Sequence, residues 1–92
     1  MGNPRPKPQH LGRKLLQIRE TLGISQQHMP ARLGLMGMHP GRISEYENNV
    51  REPSALTLLA YADLAGVHLE DIVNDRVELP EKLPGKIHHG VL

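Results

Sequence analysis

The chain has 92 residues, which is enough for one small domain with tails but not for a second core. Phe, Trp and Cys are absent, so the composition predicts an aliphatic core and argues against disulfides, thiolate zinc sites and stacking on single-stranded bases. No apolar stretch approaches the roughly 20 residues that span a bilayer, and the N-terminus lacks the apolar run of a secretory signal, so we expect a cytoplasmic protein.

Charge is distributed unevenly along the chain, although the formal net charge is only +1. Residues 1–44 contain seven Lys or Arg and one acid, whereas residues 45–92 contain four Lys or Arg and nine acids. This distribution predicts a basic half, where an anionic partner would bind, and an acidic half. The alternative is a surface of mixed charge, because segregation along a sequence need not survive folding.

The N-terminal arm and the first helix are separated by a change of pattern. Residues 1–9 carry three prolines that alternate with basic or polar residues, which excludes a helix and favours an extended arm. From Leu11 onward, apolar residues recur with the spacing of one helical face. This spacing predicts a first helix from about His10 to Leu22, which ends at Gly23.

The second predicted helix begins at the N-cap residue Ser25 and ends at Gly34. Pro30 is its poorest local fit, because a proline there removes the hydrogen bond to the Gln26 carbonyl and kinks the helix or loosens its first turn. The segment from Gly34 to Gly41 contains three glycines and a proline, so it is interpreted as the connection to the next helix.

A short third helix is predicted over residues 40–48, PGRISEYEN, because a proline is favourable in the first turn of a helix. Ile43 and Tyr46 lie three residues apart and face inward, whereas Arg42 and Glu45 point elsewhere. The third helix is therefore anchored on one side and polar on the other.

The fourth and fifth helices complete the predicted core. Ser54 caps the fourth helix and Gly66 ends it, and its Leu- and Ala-rich sequence predicts the centre of the core. The fifth helix is short and runs from His68 to about Asn74. Residues 76–92 contain two prolines and two glycines and are predicted to form an extended tail, whose apolar residues either cover the core or join a dimer.

Five short helices in this order resemble the lambda-repressor-like helix-turn-helix family, of the xenobiotic-response-element type. The sequences that carry the resemblance are GISQ at the entry to helix 2, ISEYE in helix 3, REPS before helix 4 and LAGV before helix 5. The resemblance spans about Leu11 to Val73. It implies an all-α, compact five-helix helix-turn-helix domain over residues 10–75, with extended N- and C-terminal tails.

The resemblance also implies that helix 3 lies in the major groove of DNA, and that a homodimer binds two half-sites about one helical turn apart. Gln26 and Gln27 match the start of helix 2, where the family contacts phosphate. Arg42 matches an exposed position of the recognition helix, from which a guanidinium can bind guanine O6 and N7. Glu45 matches another exposed position, where a carboxylate accepts from cytosine N4 but repels phosphate.

Further positions around the third helix are candidates of a second rank. Asn48 and Asn49 can bind phosphate at the C-terminal end of the helix, while Glu47 and Arg51 match positions that are structural or directed at phosphate.

The chain departs from the family in the turn between helices 2 and 3, which is longer than the usual short turn. A longer turn re-aims helix 3, so His39 and Gly41 become additional DNA-contact candidates. Pro30 also stands where the family prefers a small residue such as Ala.

Together these observations predict a double-stranded-DNA-binding transcriptional regulator, of repressor or activator type, that acts as a homodimer. No catalytic constellation is present, so we expect no enzyme activity and no cofactor. The six histidines do not pair with metal-ligand spacing, so no metal site is predicted.

Three questions stay open at this point. The basic arm either follows a DNA groove or is an unstructured tail. The chain is alternatively a protein-interaction module that keeps the helix-turn-helix shell, or an antitoxin that binds DNA and also a toxin through the C-terminal tail. The dimer surface is not defined by the sequence.

Overall fold

Five helices form the fold, and they follow each other in the predicted order. The computed structural model describes residues 10–85, so the predicted arm and residues 86–92 of the predicted tail lie outside the described residues. The helices are α1 (Leu11–Thr21), α2 (Met29–Arg32), α3 (Pro40–Glu47), α4 (Ala55–Ala65) and α5 (Leu69–Val73). Residues 10–85 contain no strand, so the all-α, five-helix prediction is confirmed. None of the described helices is long and apolar enough to cross a membrane.

Local sequence explains where α3 and α4 begin and end. At the start of α4, the Ser54 hydroxyl accepts a backbone N–H of the first turn at 3.2 Å, and Gly66 ends the helix with φ of +75°. At the start of α3, the His39 Nδ1 atom accepts the Gly41 N–H at 2.9 Å. Pro40 is the first residue of α3, where its missing N–H leaves no bond unmade.

Helix α2 is shorter than predicted, since regular helix begins at Met29 and not directly after Ser25. Residues 25–28 instead form a turn, in which the Ser25 hydroxyl accepts the His28 N–H at 3.2 Å. Pro30 explains the late start, because it has no N–H to donate to the carbonyl four residues earlier. The predicted loosening of the first turn by this proline is therefore found, but the predicted start of the helix was wrong.

The core is aliphatic apart from two tyrosines, and all five helices contribute to it. Its most deeply buried apolar side chains are Leu15, Ile18, Met29, Ile43, Tyr61 and Ile72. Helix α4 contributes several of the core residues, in agreement with its Leu- and Ala-rich sequence.

The described part of the C-terminal tail packs against this core. The Leu79 side chain is buried in the core, and the Gly85 N–H donates to the Ala65 carbonyl at 2.9 Å. The tail thus contacts the C-terminal end of α4 at Gly85.

Lys14 is fully buried where α1 meets the end of α5. Its ammonium group donates to the carbonyls of Asp71, Asn74 and Val77 at 2.8, 2.8 and 2.6 Å, which uses all three N–H donors. The C-terminal end of a helix favours a positive charge. Burial lowers the pKa of Lys14 from its ordinary value, because desolvation penalises the charged form. This lysine therefore holds the fold together and does not contribute to a basic surface.

Folding neutralises much of the charge segregation seen along the chain. Arg13 pairs with Glu78 at 3.3 Å, and Arg19 pairs with Glu47 at 2.6 Å. Basic residues of the first half thus bind acids of the second half. Charge segregation along the sequence is therefore not fully kept in the fold, which is the situation that the mixed-charge alternative described.

Candidate nucleic-acid interface

A buried ion pair joins α1 to α3. Two nitrogens of Arg19, Nε and Nη2, donate to the two carboxylate oxygens of Glu47 at 2.6 and 3.1 Å. The side chains are only 14% and 4% exposed, and the hydrogen bond to Glu47 raises the pKa of Arg19. Arg19 also donates to the Ile24 carbonyl at 2.9 Å, and Gln26 donates to Glu47 at 2.9 Å. One carboxylate therefore fixes the orientation of α3 relative to α1 and to the entry of α2.

The outer side of α3 carries a cluster of one carboxylate and two guanidinium groups, which we call the Arg–Glu–Arg cluster. The Oε1 atom of Glu45 lies 3.0 Å from Arg51 Nε and 3.4 Å from Arg42 Nε. The three side chains are 40%, 52% and 43% exposed, respectively. Because a guanidinium has five N–H donors, these ion pairs leave most donors available to a ligand.

The two asparagines that follow α3 make hydrogen bonds within the protein. Asn48 donates to the Ser44 carbonyl at 2.8 Å. Asn49 has φ of 58°, and its Oδ1 atom accepts the Gly12 N–H at 3.0 Å. A Cβ added at Gly12 would lie 2.6 Å from the Glu47 carbonyl oxygen, so α1 approaches the end of α3 very closely. Asn49 thus has a structural role here beside the predicted contact with phosphate.

The lengthened turn between α2 and α3 has a defined conformation. The Leu35 N–H donates to the Pro30 carbonyl at 2.8 Å, and the Met38 N–H donates to the Leu35 carbonyl at 2.9 Å. Leu35 and Met38 are half-buried and pack against the core. Met36 lies at the apex between them and is 82% exposed. The turn is therefore anchored by two apolar side chains on either side of an exposed apex.

A cavity of about 490 Å³, open to solvent, lies between this turn and α3. Its lining combines apolar side chains of the turn with cationic and imidazole groups, contributed by Leu35, Gly37, Met38, His39 and Arg42. The cavity thus lies at the N-terminal part of α3.

The contacts bring most of the predicted site residues together around α3. A continuous set of contacts runs from the N-terminus of α3 along its outer side, through Gly41, His39, Arg42, Glu45 and Arg51. Gln27 is exposed at the entry to α2. Gln26 is separate from this set, because its amide nitrogen donates to the buried Glu47.

A helix-turn-helix family model matches residues 15–72, which is more than half of the chain. The chain belongs to the lambda-repressor-like helix-turn-helix family. The predicted resemblance is thereby confirmed, and it identifies the protein as a member of a DNA-binding family whose members are typically not enzymes. Neither the curated proteins nor the solved structures contain a match to this chain.

The sequence analysis did not single out Arg19, although this helix-turn-helix domain depends on it for the orientation of α3. A signal was present in the spacing of α3. Glu47 follows Ile43 and Tyr46 on the inward side of the helix, and a buried acid requires a cationic partner. The partner itself was not evident from spacing, since Arg19 lies far from Glu47 along the chain.

Proposed function

We propose that this protein is a sequence-specific transcriptional regulator that binds double-stranded DNA as a homodimer, with α3 in the major groove. The observation that carries the proposal is the division of α3 into two sides. Ile43 and Tyr46 are buried, while Arg42 and Glu45 stay exposed enough to meet base edges. A helix that enters a groove needs one anchored side and one free polar side.

Within this proposal Arg42 reads guanine through O6 and N7. Glu45 has two candidate roles, because its carboxylate either accepts from cytosine N4 or orients the two arginines that flank it. The distances of 3.4 and 3.0 Å to Arg42 and Arg51 support the orienting role.

The Glu45→Gln variant separates these two roles. If Glu45 orients Arg42, preference for guanine at the position read by Arg42 falls, while affinity for unrelated duplex rises because a negative charge is removed. If Glu45 reads cytosine, selectivity is lost at a different base pair, and preference for the guanine read by Arg42 is unchanged.

Phosphate contacts in this proposal surround the recognition helix. Gln27 is exposed at the entry to α2, whereas Gln26 has one amide N–H engaged by Glu47. His39 and Gly41 lie at the N-terminus of α3, where the positive end of the helix dipole attracts phosphate. Asn48, Asn49 and Arg51 supply the candidates beyond the other end of the helix.

The homodimer is supported by two exposed leucines, three residues apart on α4. Leu56 is 77% exposed and Leu59 is 47% exposed. Neighbouring exposed apolar side chains are typical of protein contacts. The same leucines favour a second candidate function, a protein-interaction or antitoxin-type module that binds a different protein.

Selection of bound sequences from a random duplex pool tests the proposed function. Wild type, Arg42→Ala and the control Arg76→Ala are compared, because Arg76 is an exposed arginine that follows α5 and lies outside the helix-turn-helix unit. We expect a palindrome that loses definition at one base pair per half-site in Arg42→Ala only. No enrichment, together with a monomeric chain in sedimentation equilibrium, would favour the protein-interaction module.

A further inference from the structure

We propose that the cavity beside Arg42 receives the 5-methyl edge of a pyrimidine that immediately precedes a guanine. The chain would thus read a two-base step, methyl-pyrimidine followed by guanine, and the cavity would take the methyl group of either thymine or 5-methylcytosine. This inference rests on the proposed function, because it names the base step that the recognition helix reads. It assigns specificity to the lengthened turn as well as to α3.

The wall of the cavity has the chemistry for a methyl group. Leu35 and Met38 are half-buried, pack against the core and are linked by a backbone hydrogen bond of 2.9 Å. Gly37 contributes no side chain, and the position where its Cβ would stand is open space. An apolar wall held by the core binds a thymine methyl group in the major groove, whereas a phosphate gains nothing from it.

The opposite side of the cavity has the chemistry for guanine. Arg42 lines the cavity and lies in the first turn of α3, and residues in this part of a recognition helix contact base edges. Adjacent bases of one strand are about 3.4 Å apart along the helix axis. When a guanidinium binds guanine O6 and N7, the methyl group of the preceding pyrimidine lies beside it. The proposal places the apolar surface of the turn on that side.

The size of the cavity agrees with this occupant. A volume of about 490 Å³ that is open to solvent admits the edge of a base and not only a methyl group. The charge at the border of the cavity also suits a guanine edge, because the Arg–Glu–Arg cluster there contains two cations and one anion.

The test uses the selected operator with a single step per half-site varied. Four duplexes carry thymine, uracil, 5-methylcytosine or cytosine before the guanine that Arg42→Ala identifies, and dissociation constants are measured for each. Burial of one methyl group predicts about fourfold tighter binding per half-site, or about fifteenfold for a dimer. We expect this same factor between the dissociation constants for uracil and thymine, and between those for cytosine and 5-methylcytosine.

Two methionines provide a matched pair of variants. Met38 lines the cavity and Met36 does not, although only Gly37 separates them. We expect Met38→Ala to bring the thymine-to-uracil ratio close to one and Met36→Ala to leave it unchanged. The ratio is measured on one protein sample, so it does not depend on the fraction of folded protein.

The inference is overturned if uracil and thymine bind equally to the wild type, or if the guanine read by Arg42 follows a purine. Loss of the methyl effect in Met36→Ala but not in Met38→Ala also overturns it, because the contact would then come from the apex of the turn. A protein that selects no operator refutes the proposed function itself, whereas an operator without a methyl effect refutes the inference alone.

Discussion

Replacement of the buried Lys14 by methionine tests the contact between α1 and the end of α5. The Lys14 ammonium is the shared donor to the carbonyls of Asp71, Asn74 and Val77. A buried carbonyl without a partner costs about 1–3 kcal/mol, but removal of the lysine also removes the cost of burying its charge. Three carbonyls lose their donor and the relief of the buried charge offsets several kcal/mol of that loss, so we expect a net decrease of about 2–4 kcal/mol in the free energy of unfolding.

Urea denaturation followed by circular dichroism measures this loss, with Lys82→Met as the matched control. Lys82 is exposed, so the same substitution there is expected to change the free energy of unfolding by less than about 0.5 kcal/mol. Native-state amide exchange would show whether α5 opens alone or with the whole domain. A Lys14→Met variant within about 1 kcal/mol of the control would refute the reasoning, since water would then replace the lysine as donor.

Three further substitutions test other parts of the fold by denaturation. Glu47→Ala leaves the buried Arg19 without its carboxylate partner and is expected to lower the free energy of unfolding by about 3–5 kcal/mol. A decrease below about 1 kcal/mol would contradict this expectation. Gly66→Ala is expected to lower the free energy of unfolding more than Gly34→Ala does. Both glycines have positive φ, but only a Cβ at Gly66 would meet the Gly85 carbonyl. Equal losses of stability would argue against the tail contact. Tyr61→Phe removes a buried hydroxyl that has no hydrogen-bond partner among the described residues. The free energy of unfolding is therefore expected to stay equal or rise. A clear loss of stability would indicate that a bound water satisfies this hydroxyl.

The fold could be predicted from the sequence wherever a local signal acts alone. Ser54 and Gly66 define α4 because capping and left-handed conformation depend on single residues. The start of α2 was mispredicted because two local signals conflict there. Ser25 does accept a backbone N–H as a cap does, but Pro30 has no N–H to donate to the Gln26 carbonyl, so regular helix does not begin directly after Ser25.

The site could be predicted less completely than the fold, because much of it depends on contacts between distant parts of the chain. The exposure of Arg42 and Glu45 follows from the helical spacing of their buried neighbours. The ion pair of Arg19 with Glu47 and the cavity wall formed by Met38 depend instead on tertiary packing. No periodicity in a single segment encodes such contacts.

The charge distribution bears on how affinity for DNA arises. Arg19 is only 14% exposed and Lys14 is buried, so these two cations of α1 do not reach phosphate. The exposed arginines of the helix-turn-helix unit and its following loop are Arg32, Arg42 and Arg51. Arg42 is assigned to guanine, which leaves Arg32 and Arg51 for phosphate. Each neutralised phosphate changes the slope of log affinity against log salt by about −0.9, so two contacts per protomer give a slope of about −4 for a dimer. A steeper slope that is lost when residues 1–9 are deleted would assign the additional contacts to the basic arm, whereas a slope near −4 in both proteins would assign phosphate binding to the five-helix domain.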